Sequence, residues 1–251
     1  MVRTFQTEGL ILGTNRIGEI HKGIQLFTRE QGILHLIAHG AYKTKGRMRA
    51  LSETFSHITA FVYHDPVRDS YKLTDAEAIS VWSSFRSSIA KFYAASLFAE
   101  MAVKSYAGGA SNAELYDLVL EAYKTLEQIE LQHVRKVIIR FCLSFLEITG
   151  HTIQTEECRI CGRILGIAEE LYYSRTGHGF VCASCCQETR LVFSPQARNY
   201  VQDTASLPFD EAVRVQLDRS GAATFSTLLL MLVQEALEKE LVTLASTGVD
   251  W

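Results

Sequence analysis

The sequence predicts an α+β protein: a small N-terminal β-barrel, a helical bundle formed by the central and carboxy-terminal segments, and a metal-binding ribbon inserted into that bundle. Three observations predict it. Short β-like runs punctuated by Gly, Asn and Asp occupy roughly the first third of the chain, the apolar period then changes to helical, and two Cys-x-x-Cys pairs interrupt the helices.

The β-like runs are Gly9 to Gly13, Ile24 to Thr28, Ile33 to Ala38, His57 to Tyr63 and Tyr71 to Ala76, with glycines at 13, 18, 23, 32 and 40 between or within them. Strands this short hide their edges most simply by closing on themselves. An OB-fold fits the strand count, and a generic half-open barrel with no ligand fits it equally well. From residue 83 a helical stripe runs through Phe85, Ile89, Phe92, Tyr93, Leu97 and Met101 and stops at Gly108 and Gly109. Ser111 and Glu114 have the spacing of a capping box, opening a helix with Leu115, Leu118, Val119 and Ala122 inward. A third helix buries Val134, Val137, Ile138, Phe141, Phe145 and Ile148 and ends at Gly150, with Cys142 packed in its core. Phe225, Leu228, Leu229, Leu232, Ala236, Leu237 and Leu241 form the last stripe. The expected division is a barrel over 1–81, a helical domain over 82–155, a zinc ribbon over 156–190, and helices over 191–251 that complete the helical domain.

Cys158 with Cys161, and Cys182 with Cys185, are separated by twenty residues, the arrangement of a four-cysteine zinc ribbon. Each pair makes a knuckle whose two thiolates converge on one Zn²⁺, and Gly162 supplies the freedom the first knuckle needs. Leu171 to Ser174 and Gly179 to Val181 read as the ribbon's hairpin. Cys186 is a surplus thiol that could replace Cys185, although the two-residue spacing favours Cys185. His178 falls in a Gly-rich turn and reads as a solvated loop residue. Four thiolates leave no open coordination position, so the metal is expected to be structural.

Composition narrows the function. With 47% hydrophobic and 21% charged residues the chain is neither disordered nor fibrous. Its longest apolar run, Leu228 to Val233, is far short of the ~20 residues of a membrane span, and Glu8 interrupts any export signal. A cytoplasmic protein with free or metal-bound thiols is expected. No metalloprotease, nucleophile-elbow, P-loop or dinucleotide motif occurs, so no enzyme is expected. The net charge is −3, yet residues 1–50 hold eight Lys or Arg against three Glu, whereas residues 81–251 hold fifteen against twenty acidic residues. Anionic contact is therefore expected at the front of the chain.

Within that basic front, Lys43, Lys45, Arg47 and Arg49 alternate beside His39 and Tyr42. If the segment is extended, period-two spacing puts all four cations on one side, where they meet phosphates while an aromatic ring stacks on a base. Arg16 and Arg29, in neighbouring segments, are expected to extend the same face.

Residues and order together resemble the RecO family of bacterial recombination mediators. Gly18 and Glu19 through Leu26, Phe27, Thr28, Arg29, Glu30, Gln31 and Gly32 are similar to the family's opening barrel hairpin, and Gly40, Ala41, Tyr42, Lys43, Thr44 and Lys45 to its Gly-Ala-basic segment. Arg140 and Phe141, then Phe145 to His151, then Cys158 and Cys161, are similar to its helix, glycine and knuckle sequence. The resemblance spans nearly the whole chain; the acidic carboxy-terminal two thirds departs from it and argues against DNA contact outside the barrel. It implies a non-enzymatic protein, cytoplasmic and nucleoid-associated during repair. Such a protein binds single- and double-stranded DNA, anneals complementary strands, and acts with RecR to help RecA replace single-strand-binding protein. In the family the helical domain also receives the acidic, apolar tail of single-strand-binding protein, for which Arg140, Arg135 and Lys136 are the local candidates. Two other readings use the same residues: a zinc-ribbon adaptor that binds protein without nucleic acid, and a thiol oxidoreductase acting through Cys158 and Cys161.

Overall fold

Alternating apolar and polar residues build five strands, β1 (Thr4–Ile17), β2 (His21–Thr28), β3 (Gly32–Ala38), β4 (His57–Asp65) and β5 (Ser70–Ser80), with a short helix α1 (Arg47–Leu51) between β3 and β4. The computed structural model describes residues 3–42, 47–105, 112–187 and 192–246. The strands close into a barrel in the order β1-β2-β3-β5-β4, with β3 and β5 parallel and the other pairs antiparallel. That closed Greek-key order is OB-fold-like and excludes the half-open alternative. β1 serves two neighbours because its register shifts between Ile11 and Gly13, a bulge that bends the strand around the barrel. Gly9 permits the close approach to β2, since a Cβ there would lie 2.8 Å from both Leu26 Cγ and the Phe27 carbonyl oxygen. Ile11, Ile24, Leu26, Leu36, Ile58 and Val62 fill the interior, and Met48 and Leu51 of α1 pack against it. Removing any one of these large side chains costs about 2–5 kcal/mol when the cavity cannot collapse.

The chain divides into two compact units, Met1–Gln128 with Leu241–Thr247, and Ile129–Glu240 with Gly248–Trp251. In the first, α2 (Ser84–Ser87), α3 (Ile89–Ser105) and α4 (Ala113–Gln128) follow the barrel. Phe27 meets Tyr116 of α4 edge-on at 5.4 Å, and Phe55 meets Phe85, Phe92 and Tyr123 at 5.6–5.8 Å. Phe55 holds a left-handed backbone (φ 68°), at a cost of about 1–3 kcal/mol that this packing offsets. The buried face of α3 differs from the predicted stripe: Ala94, Ala95, Phe98 and Ala102 join Leu97 and Met101 inside, while Ile89 and Phe92 are 72% and 46% exposed. Small residues let α3 pack closely, which rotates its bulky apolar side chains outward. The cap of α4 is Asn112, whose Oδ1 accepts from the Leu115 N–H at 3.0 Å; Ser111 of the predicted capping box lies outside the described residues.

The second unit includes α5 (Val134–Ile148), whose predicted face is buried at Val134, Val137, Ile138, Phe141 and Phe145 together with Cys142, while Ile148 is half-buried. A three-stranded sheet follows, β6 (Leu171–Ser174) between β7 (Gly179–Val181) and β8 (Val192–Phe193), then α6 (Pro195–Thr204), α7 (Phe209–Ala212) and α8 (Arg219–Leu237). Asp218 Oδ1 caps α8 by accepting from the Gly221 N–H at 2.7 Å. By length and composition α8 reaches the requirements of a membrane span, which the six-residue apolar run understates; here Phe225, Leu228, Leu229 and Val233 are buried, and α8 packs against α5 and β8. The predicted stripe through Leu241 is broken, because Glu238 adopts a left-handed conformation (φ 51°) and ends α8. Leu241 and α9 (Val242–Ser246) return to the first unit, where the Glu100 carboxylate accepts from the Val242 and Thr243 N–H groups at 2.7 and 2.8 Å.

Candidate nucleic-acid interface and cysteine centre

Strand register gathers the first site. Arg16 of β1 pairs with Lys22 of β2, Lys22 with Ala38 of β3, and Ile37 with Lys72 of β5, so residues far apart in sequence meet at one end of the barrel. The chain leaving β3 is tied there by the Tyr42 N–H donating to the Ile20 carbonyl at 3.1 Å. Arg16 is exposed, and its guanidinium lies 5.4 Å from the centre of the Tyr42 ring. Its Nε and Nη2 donate to the carbonyls of Gly18 and Glu19 at 3.2 and 2.8 Å, which orients the fork. Lys22 sits behind the ring: its ammonium, 5.2 Å from the ring centre, is buried and donates to the Ser52 carbonyl at 3.1 Å and to Glu53 Oε1 at 3.2 Å. Tyr42 is thus held between an outward and an inward cation.

His39 meets His21 edge-on at 4.7 Å, and His21 Nδ1 accepts the Gly40 N–H at 3.1 Å. Burial, then the nearby charges of His21 and Lys72, lower the His39 pKa. Its role near neutral pH is therefore that of an uncharged ring. Lys72 itself lies 5.6 Å from the Tyr63 ring centre. His21, Lys22 and Lys72 belong to this cluster and were not among the residues expected from sequence. Their only signal is cross-strand register, which no local spacing encodes.

The other expected residues fall into three groups. Lys43 and Lys45 lie outside the described residues. Arg47 and Arg49 belong to α1, not to an extended ribbon, so the period-two alternation expected to align the four cations does not apply to this stretch. Arg49 is exposed. Arg29 stands at the far end of β2, beside the Gly9–Thr28 pair, and does not extend the Arg16 face. Its guanidinium donates to both oxygens of Asp117, with Nε–Oδ1 at 3.0 Å and Nη2–Oδ2 at 2.8 Å, a pairing that raises its pKa.

On α5, Lys136 turns inward. Its ammonium donates to the Val215 carbonyl at 3.1 Å, and burial lowers its pKa. One turn later the half-buried Arg140 approaches the Leu207 carbonyl with Nη2 at 3.4 Å, leaving Nε buried with no partner among the described residues. Arg135 is half-buried on the same helix.

Cys158, Cys161, Cys182 and Cys185 converge with all four sulfurs within 4.8 Å of one another, and Cys161 Sγ lies 4.0 Å from Cys182 Sγ. A tetrahedral ion with bonds of about 2.3 Å to sulfur needs edges of about 3.8 Å, so small adjustments fit the set to one metal ion. Each knuckle is a tight turn, with the Gly162 N–H donating to the Cys158 carbonyl at 2.9 Å and the Cys185 N–H to the Cys182 carbonyl at 3.1 Å. Gly162 has φ +69°, the left-handed geometry for which its position was singled out. The Cys182 N–H points at Cys158 Sγ at 3.4 Å, a donor suited to a thiolate. The cluster contains Cys185 and not Cys186, and His178 is exposed outside it.

Comparison with known proteins agrees with this arrangement. Residues 1–82 match the family model described as Recombination protein O N terminal, and residues 86–245 match that described as Recombination protein O C terminal. Relatives named DNA repair protein RecO include one from Clostridium acetobutylicum, 24% identical over 214 residues covering 85% of each chain. Another, from Rubrobacter xylanophilus, is 24% identical over 211 residues covering 83% of each. A third, from Clostridium novyi, is 28% identical over 181 residues covering 72% of this chain and 69% of that one. With an OB-fold-like barrel under the first model and the four-cysteine cluster under the second, the chain belongs to the RecO family of recombination mediator proteins.

Proposed function

We propose that this protein is a non-enzymatic mediator that binds DNA through its barrel, anneals complementary single strands and, together with RecR, helps RecA onto DNA covered by single-strand-binding protein. The observation that supports it best is the cluster of Arg16, His39, Tyr42 and Lys72 at one end of the barrel, where cations and aromatic rings alternate. Such a surface suits the phosphates and unstacked bases of a single strand. Annealing needs no active site: a protein that neutralises phosphates on two strands weakens their repulsion while the bases stay free to pair. Lys43, Lys45, Arg47 and Arg49 are proposed to add phosphate contacts. Arg29 is the weakest member of the set, since Asp117 already takes its charge.

The cysteine cluster is proposed to hold one Zn²⁺, which when bound cross-links the two knuckles and does no chemistry on substrate. Arg140, with Arg135 and Lys136 beside it, is proposed to hold the terminal carboxylate of the single-strand-binding-protein tail. The Arg140 Nε, without a partner among the described residues, supports its place in that group, whereas Lys136 is already engaged with Val215. A cytoplasmic location, at the nucleoid during repair, follows from this reading.

The test is single-strand binding and annealing across a salt series. Each phosphate contact with a single strand contributes about −0.7 to the slope of log affinity against log salt, so replacing Lys43, Lys45, Arg47 and Arg49 with Ala makes the slope shallower by up to ~3 units and slows annealing. Wild-type affinity and slope in that variant would remove the loop from the interface. Failure of the unsubstituted protein to bind any oligonucleotide would leave the protein-adaptor reading in its place.

A further inference from the structure

A second feature adjoins the Tyr42 face. Between the segment that follows α1 and the start of α3 lies a cavity of about 260 Å³, lined by Glu53, Phe55, Trp82, Phe85, Arg86 and Phe92 among others. It is smaller than the roughly 300–1,000 Å³ of pockets that enclose drug-sized ligands, so it suits a single ring system. Its walls are aromatic, and three of their features bear on a ligand. Phe92 is turned outward at 46% exposure, with its ring 5.6 Å from that of Phe55. The Trp82 indole N–H is buried with no acceptor among the described residues, an uncommon state for a tryptophan in the interior. Arg86 is exposed at the rim and forms no ion pair among the described residues.

Glu53 connects this cavity to the candidate interface. It lines the cavity and also binds the Lys22 ammonium, which in turn lies against the Tyr42 ring. The Glu53 carboxylate is therefore shared between the cavity wall and the cation packed behind Tyr42, and Arg86 stands at the cavity rim.

We propose that the cavity takes one unstacked base of a single strand bound along the Tyr42 face, with Phe92 as the stacking surface, Arg86 on the adjoining phosphate, and the Glu53 carboxylate able to accept from a base N–H group. This rests on the proposed DNA-binding function and adds to it a pocket that reads bases as well as phosphates. An apolar peptide side chain is the competing occupant. The Glu53–Lys22 link to the Tyr42 ring, and a rim arginine with no ion pair among the described residues, favour the nucleotide.

The experiment uses the full chain with Trp251→Phe, which leaves Trp82 as its sole tryptophan. It is titrated with an oligo-dT strand and with an abasic strand of the same length and charge. Oligo-dT should change the Trp82 emission and bind about fivefold or more tightly than the abasic strand, the loss expected for one stacked base. Phe92→Ala should abolish most of that difference while leaving abasic affinity and salt slope unchanged. The emission comparison needs no substitution in the cavity, so it decides the matter even if Phe92→Ala fails to fold. If both strands bind with equal affinity and leave Trp82 unaltered, the base pocket is refuted and DNA binding by the barrel stands. If neither strand binds, the DNA-binding reading falls and the pocket with it. If an acidic apolar peptide changes Trp82 emission and oligo-dT does not, the cavity is a peptide site and the proposal is overturned.

Discussion

Arg16, Lys72 and Arg29 distinguish a DNA face defined by register from one defined by nearness in sequence. Arg16 and Lys72 lie at the Tyr42 end of the barrel, whereas Arg29 lies at the far end of β2 with its guanidinium across both oxygens of Asp117. Replacing Arg16 and Lys72 together with Ala removes two phosphate contacts, which should make the slope of log affinity against log salt shallower by about 1.4 units. Between 50 and 200 mM salt the variant should therefore lose about sevenfold less of its remaining affinity than the unsubstituted protein does. Arg29→Ala should leave the slope unchanged. Folding stability should also stay close to wild type, since Arg29 and Asp117 are 54% and 48% exposed and solvent screens such pairs. Anisotropy of a labelled single strand, titrated at four or more salt concentrations, measures all three slopes. An unchanged slope in the double variant, or an equal change in Arg29→Ala, would refute the assignment of the interface to the Tyr42 end.

Cys158→Ser should lower zinc content and thermal stability together, whereas Cys186→Ser should keep the full metal content; equal loss in both, measured by a colorimetric chelator, would contradict the ligand set. Arg140→Glu should weaken binding of a peptide ending in the single-strand-binding-protein tail and spare DNA affinity, because reversal of charge repels the terminal carboxylate; unchanged peptide affinity in a folded variant removes Arg140 from that site. His57 predicts a pH dependence. Burial lowers its pKa against the opposing pull of Glu8, 2.8 Å away, so the unfolded chain binds the proton first. Its contribution to stability is complete above the ordinary histidine value of about 6.5 and is lost as pH falls from there through the lowered native value. Denaturant midpoints across that range should fall with pH, and His57→Gln should flatten the decline; an equal decline in both proteins would assign the effect to another group.

Local patterns in the chain announced whatever depends on neighbouring residues. The two knuckles were legible because a C-x-x-C turn brings its thiols together whatever surrounds it, and the four predicted sulfurs do converge. The barrel was legible as short strands, and α5 as a helix whose apolar side chains recur on one face. Tertiary structure alone decided what depends on packing and register. Lys43 to Arg49 promised a straight ribbon of charge, yet Met48 and Leu51 are drawn onto the barrel core and residues from Arg47 onward wind into α1. Arg16 and Arg29 looked equivalent until strand pairing set them at opposite ends of one hairpin. Lys22 and Lys72 carried no sequence signal, because pairing through β2, β3 and β5 brings them to Tyr42 and Tyr63 from distant positions. Ile89 and Phe92 fitted an apolar stripe, but the close packing permitted by Ala94, Ala95 and Ala102 turned them toward solvent. The physical reason is range: knuckle geometry and helical period act over a few consecutive residues, whereas the choice of face and the meeting of cations across a barrel are set by contacts that exist only once the chain has closed.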